Sequence, residues 1–321
     1  MRILAALMIV LLSPATSALA GSGNEDPVGV EQGREALNRL VQALDEQSYS
    51  GTFVYARAGI VETVRVVHRA GEKGRFRQRL EILTGPEREI VRTADGVRVA
   101  GVGHARNVHR QGIGGALGDA WPRADEIDES LYRIRLAGDG RVAGRAADVV
   151  LIEPLDQLRY GHRLWIDRES GLPLQAQLLE GSRVIERLLF TALELRDEIG
   201  EQELEPRLEV ARELESVARE RIEEEQARWH VPEPPSGFKL VGRSVLAGAE
   251  EREQRIEHLL FSDGLATVSI YIEAGGGGER GRARAGALHA FEEPIDDHHV
   301  TAIGDVPART VERFATGVRP R

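Results

Sequence analysis

Apolar positions between residues 30 and 47 recur at helical spacing. Ala36, Leu37, Leu40, Val41 and Leu44 line one face, while Arg34, Glu35, Arg39, Asp45 and Glu46 can face water. The repeat then drops from about 3.6 residues to about two. Phe76, Gln78, Leu80 and Ile82 share one face of a strand, and Arg75, Arg77, Arg79 and Glu81 the other. The same alternation predicts strands at 52–57, 60–69, 87–92, 97–100, 131–136, 148–153, 158–167, 174–179 and 184–190. Turn signals separate them, among them Gly85-Pro86, Asp95-Gly96, Asp139-Gly140, Ser170-Gly171 and Gly181-Ser182. Amphipathic helices do not alternate with these strands, which favours an antiparallel meander over a parallel α/β sheet. One helix and a long curling sheet suggest an open barrel whose concave face the helix covers. The glycine-rich stretch 101–118 lacks a period and reads as a mobile loop.

Beyond Gly200 the pattern changes again. Leu204, Leu208, Ala211, Leu214 and Ala218 make a narrow stripe, and Glu203/Arg207, Glu215/Arg219 and Glu224/Arg228 are favourable i, i+4 pairs. This predicts a charged, solvated helix that spaces two bodies. Pro232, Pro234, Pro235 and Gly237 then open a second body. Within it, 256–261 and 265–272 flank Ser262-Asp263-Gly264 as a hairpin, 300–303 is a later strand, and 308–318 a closing helix. Gly275 to Gly278 and the Glu-Arg-Gly-Arg-Ala-Arg that follows read as a flexible basic connection.

The first residues are not part of this architecture. Arg2, the apolar run from Ile3 to Leu12 and Ala18-Leu19-Ala20 before Gly21 make a secretory signal over residues 1–20. The run is far short of the about 20 residues that a membrane span needs. The expected organisation is therefore a signal peptide (1–20), an N-terminal domain (21–199), a charged helical spacer with a Pro-rich linker (200–236) and a C-terminal domain (237–321).

Composition narrows the function. With 42 basic residues against 52 acidic ones and a net charge of −10, sequence-independent binding to nucleic acid is disfavoured. Only two of the basic residues, Lys73 and Lys239, are lysine. The chain has no cysteine, so disulfides, thiol catalysis, Cys-ligated zinc and a lipidated cysteine are excluded. No phosphate loop, zinc-protease helix, nucleophile elbow or dinucleotide fingerprint is present. The sole histidine and carboxylate cluster, Asp296-Asp297-His298-His299, suits a solvated turn better than a metal site. His68, His162, Trp121, Trp165 and Trp229 fit structural roles. No catalytic residue, metal or cofactor is expected, and a binding or regulatory protein is favoured over an enzyme.

The strings themselves carry a resemblance. Tyr49-Ser-Gly-Thr-Phe-Val-Tyr55, Glu62-Thr-Val-Arg-Val-Val-His-Arg69, Gly85-Pro86-Glu-Arg-Glu-Ile90, Tyr160-Gly-His-Arg-Leu-Trp-Ile-Asp167 and Glu169-Ser-Gly-Leu-Pro-Leu174 resemble the N-terminal domain of the RseB/MucB family. Pro235-Ser-Gly-Phe238, Phe261-Ser-Asp-Gly-Leu-Ala-Thr-Val-Ser269 and Val300-Thr-Ala-Ile-Gly-Asp-Val-Pro307 extend it through the second body. The resemblance implies a mainly β (α+β) protein with two domains. The first is a LolA/LolB-like unclosed antiparallel half-barrel with a helix in its concavity, and the second is a smaller α+β domain. It further implies a periplasmic negative regulator of a sigma-E type envelope-stress sigma factor. Such a protein binds the periplasmic region of an RseA/MucA-like transmembrane anti-sigma factor, shields it from regulated proteolysis, and lets go when lipid or lipopolysaccharide binds.

On this basis Asp263, Gly264, Leu265 and Val268 are the candidate partner surface. Phe53, Tyr55, Phe76, Leu80 and Trp165 are candidates for an apolar cavity, although plain core packing predicts the same five. The alternative is a periplasmic lipid or lipoprotein carrier built on the same half-barrel, and an enzyme is the third class. Neither nucleic acid nor a membrane span is expected, and self-association into a homo-oligomer is left open.

Overall fold

In the computed structural model, the described residues are 27–71, 75–93, 96–101, 121–214, 219–246, 256–275 and 279–321. The signal expected at 1–20, and all but the first residue of the loop expected at 101–118, lie outside them.

Helix α1 (Pro27–Glu46) opens on a proline, which suits a first turn whose N–H groups lack intrahelical partners. It buries Gly33, Ala36, Leu37, Leu40 and Ala43. Among the described residues ten strands follow before residue 200: β1 (Tyr49–Arg57), β2 (Ile60–Ala70), β3 (Phe76–Ile82), β4 (Arg88–Thr93), β5 (Val97–Gly101), β6 (Tyr132–Val142), β7 (Arg145–Pro154), β8 (Gly161–Asp167), β9 (Pro173–Glu180) and β10 (Arg183–Leu195). With β11 (Val210–Leu214) they form one antiparallel sheet of 11 strands, ordered β11-β5-β4-β3-β2-β1-β10-β9-β8-β7-β6. Two meanders, one running outward from β1 and one from β10, are joined by the β1–β10 pair. The outermost strands β11 and β6 do not pair with each other, so the sheet stays unclosed. Helix α1 packs on the β6–β8 side of it. Leu37 and Leu40 meet Ile134, Ile152, Leu164 and Ile166 there, which places the core between helix and sheet.

The charged spacer helix is not what the chain builds. Residues Glu201–Leu204 form a single helical turn (α2), and Glu205 is already extended, with φ −79° and ψ 143°. Pro206 follows; it lacks an N–H and disfavours a helical conformation at the residue before it. The acidic residues then find counter-charges on the sheet. Arg77 of β3 pairs with Glu201 and Glu205. Arg79 donates to the Glu203 carbonyl at 2.8 Å and pairs with buried Glu89 at 2.6 Å. Glu89 in turn accepts the N–H groups of Arg207 and Leu208 at 2.6 and 3.0 Å. The polar face of β3 is thus covered by an acidic strap and does not face bulk water. Beyond the strap β11 completes the edge of the first sheet beside β5, and β12 (Arg219–Arg221) joins the second beside β14 (Lys239–Leu246). Edge strands with unpaired backbone groups overrode the helical propensity of this segment.

The second sheet has seven antiparallel strands, ordered β12-β14-β15-β16-β19-β18-β17. They are β15 (Ile256–Ser262), β16 (Thr267–Ala274), β17 (Gly281–Ala285), β18 (Leu288–Ile295) and β19 (His298–Gly304), besides β12 and β14. Helix α3 (Ala308–Gly317) closes one face, where Phe314 meets Phe238 and Phe261 with ring centroids 5.3 and 5.0 Å apart. A two-stranded ribbon, β13 (Trp229–His230) with β20 (Arg319–Pro320), ties the chain's end to its linker. Alternation located β15, β16 and part of β19 but missed β14, β17 and β18. The basic run read as a flexible connection is in fact strand β17, because β18 offers it a hydrogen-bonding edge.

Gly33 marks where α1 comes closest to the sheet: a Cβ there would lie 2.6 Å from the backbone carbonyl carbon of Arg135. Gly33→Ala should therefore destabilise the protein by roughly 1–3 kcal/mol through overpacking, measured by urea unfolding. Helix propensity alone predicts the opposite sign, a gain of about 1 kcal/mol.

Candidate functional site

The two sheets meet along a junction built from turns. On the C-terminal side the β15–β16 hairpin turn presents Asp263. Its Oδ1 accepts the N–H groups of Leu265 and Ala266 at 2.9 and 2.7 Å, an arrangement that folds the turn on itself. Gly264 takes φ +102°, a conformation that side chains with a Cβ rarely adopt. With Oδ1 so engaged, Oδ2 is aimed across the junction. It accepts from Arg159 Nη1 at 2.6 Å and from Tyr132 Oη at 2.9 Å. Both charged side chains are 0% exposed.

Arg159 sits in the turn between β7 and β8, where Asp156 fixes its Nε at 3.1 Å. Its Nη2 donates to the Ser236 carbonyl at 2.6 Å, and its guanidinium lies over the rings of Phe238 and Tyr132 at 5.1 and 5.5 Å. Burial, and then the Asp263 charge, hold the Tyr132 hydroxyl far above the ordinary phenol range. Leu265, beside Asp263, packs on the N-terminal core cluster of Ile127, Leu131 and Tyr132.

A second set of contacts lies toward β10. Glu186 Oε2 accepts from Tyr55 Oη at 2.6 Å, and Oε1 accepts the Ala287 N–H at 2.9 Å, so one carboxylate ties both domains together. Tyr160 Oη lies 3.2 Å from His289 Nδ1. Thr310 donates to the Leu158 carbonyl at 2.6 Å. Asp305, between β19 and α3, is pushed up to about 6 by burial and then by the Glu186 charge, with Arg57 opposing.

The structure distributes the sequence-predicted residues unevenly. Asp263 and Leu265 lie in the junction, Gly264 is exposed at the tip of their turn, and Val268 is enclosed in the core of the C-terminal domain. Phe53, Tyr55 and Leu80 share one cluster at 0, 4 and 1% exposure, filled by Phe190, Leu172 and Leu188. Phe76 lies apart, stacked on His68 at 5.7 Å. Trp165 packs against Val142, Ala147 and Leu174. The five cavity candidates therefore belong to three different surroundings. Burial pushes both His68 and His162 down to about 4, which keeps them neutral.

At the β18–β19 turn, Asp296 takes φ +49°, His298 meets Trp229 edge-on at 4.8 Å, and His299 lies 3.7 Å from Glu292. Among the described residues, no group of three metal-ligating side chains comes together. Arg159, Tyr132, Tyr160 and Glu186 escaped sequence reasoning, since polar residues in turns and strands carry no periodic signal. The Ser-Asp-Gly turn was the one visible clue.

Two outcomes follow from the junction chemistry. Arg159→Met or Asp263→Asn alone should lower stability by about 3–5 kcal/mol, whereas the double variant, in which Asn keeps an oxygen for the Leu265 and Ala266 N–H groups, should cost clearly less than the sum of the two, since part of each penalty comes from a buried charge left alone. Chemical unfolding of the three variants measures this. For Asp305, a raised carboxyl penalises the folded state at neutral pH, and the penalty fades as pH falls through about 6 toward 4. Asp305→Asn should thus be more stable than the parent protein at pH 7 and lose that advantage near pH 4, as thermal unfolding across the range would show.

Comparison with known proteins places this architecture. The "MucB/RseB N-terminal domain" family matches residues 32–208, and the "MucB/RseB C-terminal domain" family matches residues 223–319. The Sigma factor AlgU regulatory protein MucB of Pseudomonas aeruginosa is 35% identical over 95% of this chain and 97% of its own. The Sigma-E factor regulatory protein RseB of Haemophilus influenzae is 26% identical over 90% of this chain and 91% of its own. Among solved structures, the Pseudomonas aeruginosa MucA/MucB complex aligns with a TM-score of 0.70 at 31% identity, covering 90% of this chain and 99% of that one. MucB alone aligns with a TM-score of 0.67 at 31% identity, over 91% of this chain and 99% of that one. With both domains matched in order and a relative alike across nearly its whole length, the chain belongs to the MucB/RseB family.

Proposed function

We propose that this protein is a periplasmic negative regulator of a sigma factor. It grips the periplasmic region of a transmembrane, MucA-like anti-sigma factor and sterically protects it from regulated proteolysis. The observation that carries this reading is the likeness over both domains to a MucB chain solved in complex with MucA. The mechanism requires no chemistry, only differential binding: protection equals the fraction of partner held in a protease-inaccessible complex. The residues at the junction fit a binding role, being committed to hydrogen bonds and ion pairs between domains. Residues 21–199 supply the half-barrel scaffold and 237–321 the partner-binding domain.

The Asp263–Leu265 turn contributes by setting how the C-terminal domain is presented to the partner. A lipid or lipopolysaccharide that favours an arrangement with poor partner affinity would release the hold by mass action. The leader-like residues 1–20 support export, and no helix among the described residues is long and apolar enough to cross a membrane.

The test uses the purified chain and the periplasmic segment of the one-span membrane protein encoded beside its gene. Saturating the segment with this protein should slow its cleavage by a site-1 type protease at least tenfold. Absence of a complex, or cleavage at the unprotected rate, would sink the proposal.

A further inference from the structure

An acidic chain with a cationic groove invites a specific occupant. A groove of about 750 Å³ lies where the β1–β2 turn and the β9–β10 hairpin of the first domain meet the end of β17 in the second. Its lining carries four arginines against one glutamate, a net charge of +3 in a protein of net charge −10. Buried guanidiniums elsewhere are matched, as Arg79 with Glu89 and Arg159 with Asp263, whereas Arg141, Arg309 and Arg319 at the surface meet only carbonyls or an amide among the described residues. In the groove Arg183 has Glu180. Among the described residues, however, no carboxylate lies within 4.0 Å of Arg57, Arg187 or Arg284. Arg187 meets the neutral amide of Gln177, Arg284 donates to the Gly286 carbonyl at 3.0 Å, and Arg57 lies 5.8 Å from the Tyr55 ring centroid. These three guanidiniums, with neutral partners or with Glu186 and Asp305 only at longer range, outnumber the carboxylate of the recess and leave it a site of positive potential. Along its lip Ile60 and Val61 are 53 and 62% exposed.

From this we infer that the groove takes an extended, acidic segment of a protein partner whose carboxylates answer Arg57, Arg187 and Arg284 and whose apolar residues cover Ile60 and Val61. Charge complementarity selects the acidic residues, since guanidiniums bind carboxylates through paired N–H donors. The free edge of β17 selects the extended conformation. That strand ends its sheet, so among the described residues no strand lies beside one row of its backbone groups, and it leads into the groove at Arg284. A lipid fits less well. Its acyl chains need an apolar interior, whereas the nearest apolar cluster, around Phe53, Tyr55 and Leu80, is filled by its own side chains.

Because Arg57 and Arg187 belong to one domain and Arg284 to the other, an occupant reads both at once. It binds the docked arrangement that the Glu186 to Ala287 hydrogen bond maintains, and by linkage it strengthens that docking.

This surface deepens the proposed function, resting on its reading that the partner is a polypeptide, and its test separates the two. The first probe is a fluorescein-labelled peptide of alternating glutamate and valine, compared with its lysine-for-glutamate counterpart and with phosphatidylglycerol vesicles, all on the full chain. The acidic peptide should bind saturably and weaken with salt. Arg187→Glu with Arg284→Glu, two exposed positions outside the cores, should reduce its affinity at least tenfold while leaving the unfolding midpoint unchanged.

Equal binding of the lysine peptide, indifference to the two substitutions, or binding of vesicles in place of the peptide would each overturn the inference. The same double variant is then tried on the anti-sigma segment. A complex of parental affinity refutes the groove and leaves the regulatory function standing. If the parent forms no complex at all, the function fails while the peptide result still decides the groove.

Discussion

A buried charge is stable only when its partner and its remaining hydrogen bonds are supplied together, and the Arg159–Asp263 pair meets that condition across a domain boundary. Asp263 spends one oxygen on its own turn and offers the other to Arg159 and Tyr132. Arg159 is held by Asp156, roofed by two aromatic rings, and satisfied at its far nitrogen by the Ser236 carbonyl. Every one of these partners comes from a turn, a strand end or the linker, so the pair forms only when both sheets are folded and docked. The contact specifies one arrangement of the domains and penalises others, because parting them strands two charges.

The same logic recurs on a larger scale. The chain carries no cysteine and almost no lysine, so covalent staples are absent and its cations are nearly all guanidiniums. A guanidinium can satisfy two acceptors at once in fixed geometry. Arg77 does so with Glu201 and Glu205, and Arg79 with Glu89 and the strap backbone. The acidic segment 201–208 thereby becomes part of the first domain's fold, lying over the arginine face of β3. Further along the chain, β11 lies at the edge of the first sheet and β12 at the edge of the second.

For a regulator that works by occupying another protein, the junction is where shape and function meet. The apolar clusters of both sheets are filled, whereas the surface between them is polar, charged and assembled from turns. Turns on a rigid scaffold are where binding residues are commonly found, since they can vary without disturbing the core.

Much of the fold was legible in the sequence because period-two alternation reports directly on which side chains a half-buried sheet hides. Phe76 to Ile82, Val97 to Ala100 and Ile256 to Phe261 all read as strands for that reason. The helix at the N-terminus and the Ser-Asp-Gly turn were visible on the same grounds, and ordered strings named the family. Other features needed the folded chain. The stretch 201–228 has the composition of a helix, yet Pro206 and two open sheet edges drew 201–214 into a strap and an edge strand and 219–221 into another, an outcome set by neighbours distant in sequence. Phe53 and Trp165 look alike as buried aromatics, and only packing assigned them to separate clusters. The sequence determined strands, turns and family, because these depend on local periodicity and order. Which charges meet at Arg159 and Asp263, and which guanidiniums gather in the groove at Arg57, Arg187 and Arg284, was decided by tertiary structure, because electrostatic pairing depends on distance in space and leaves no period along the chain.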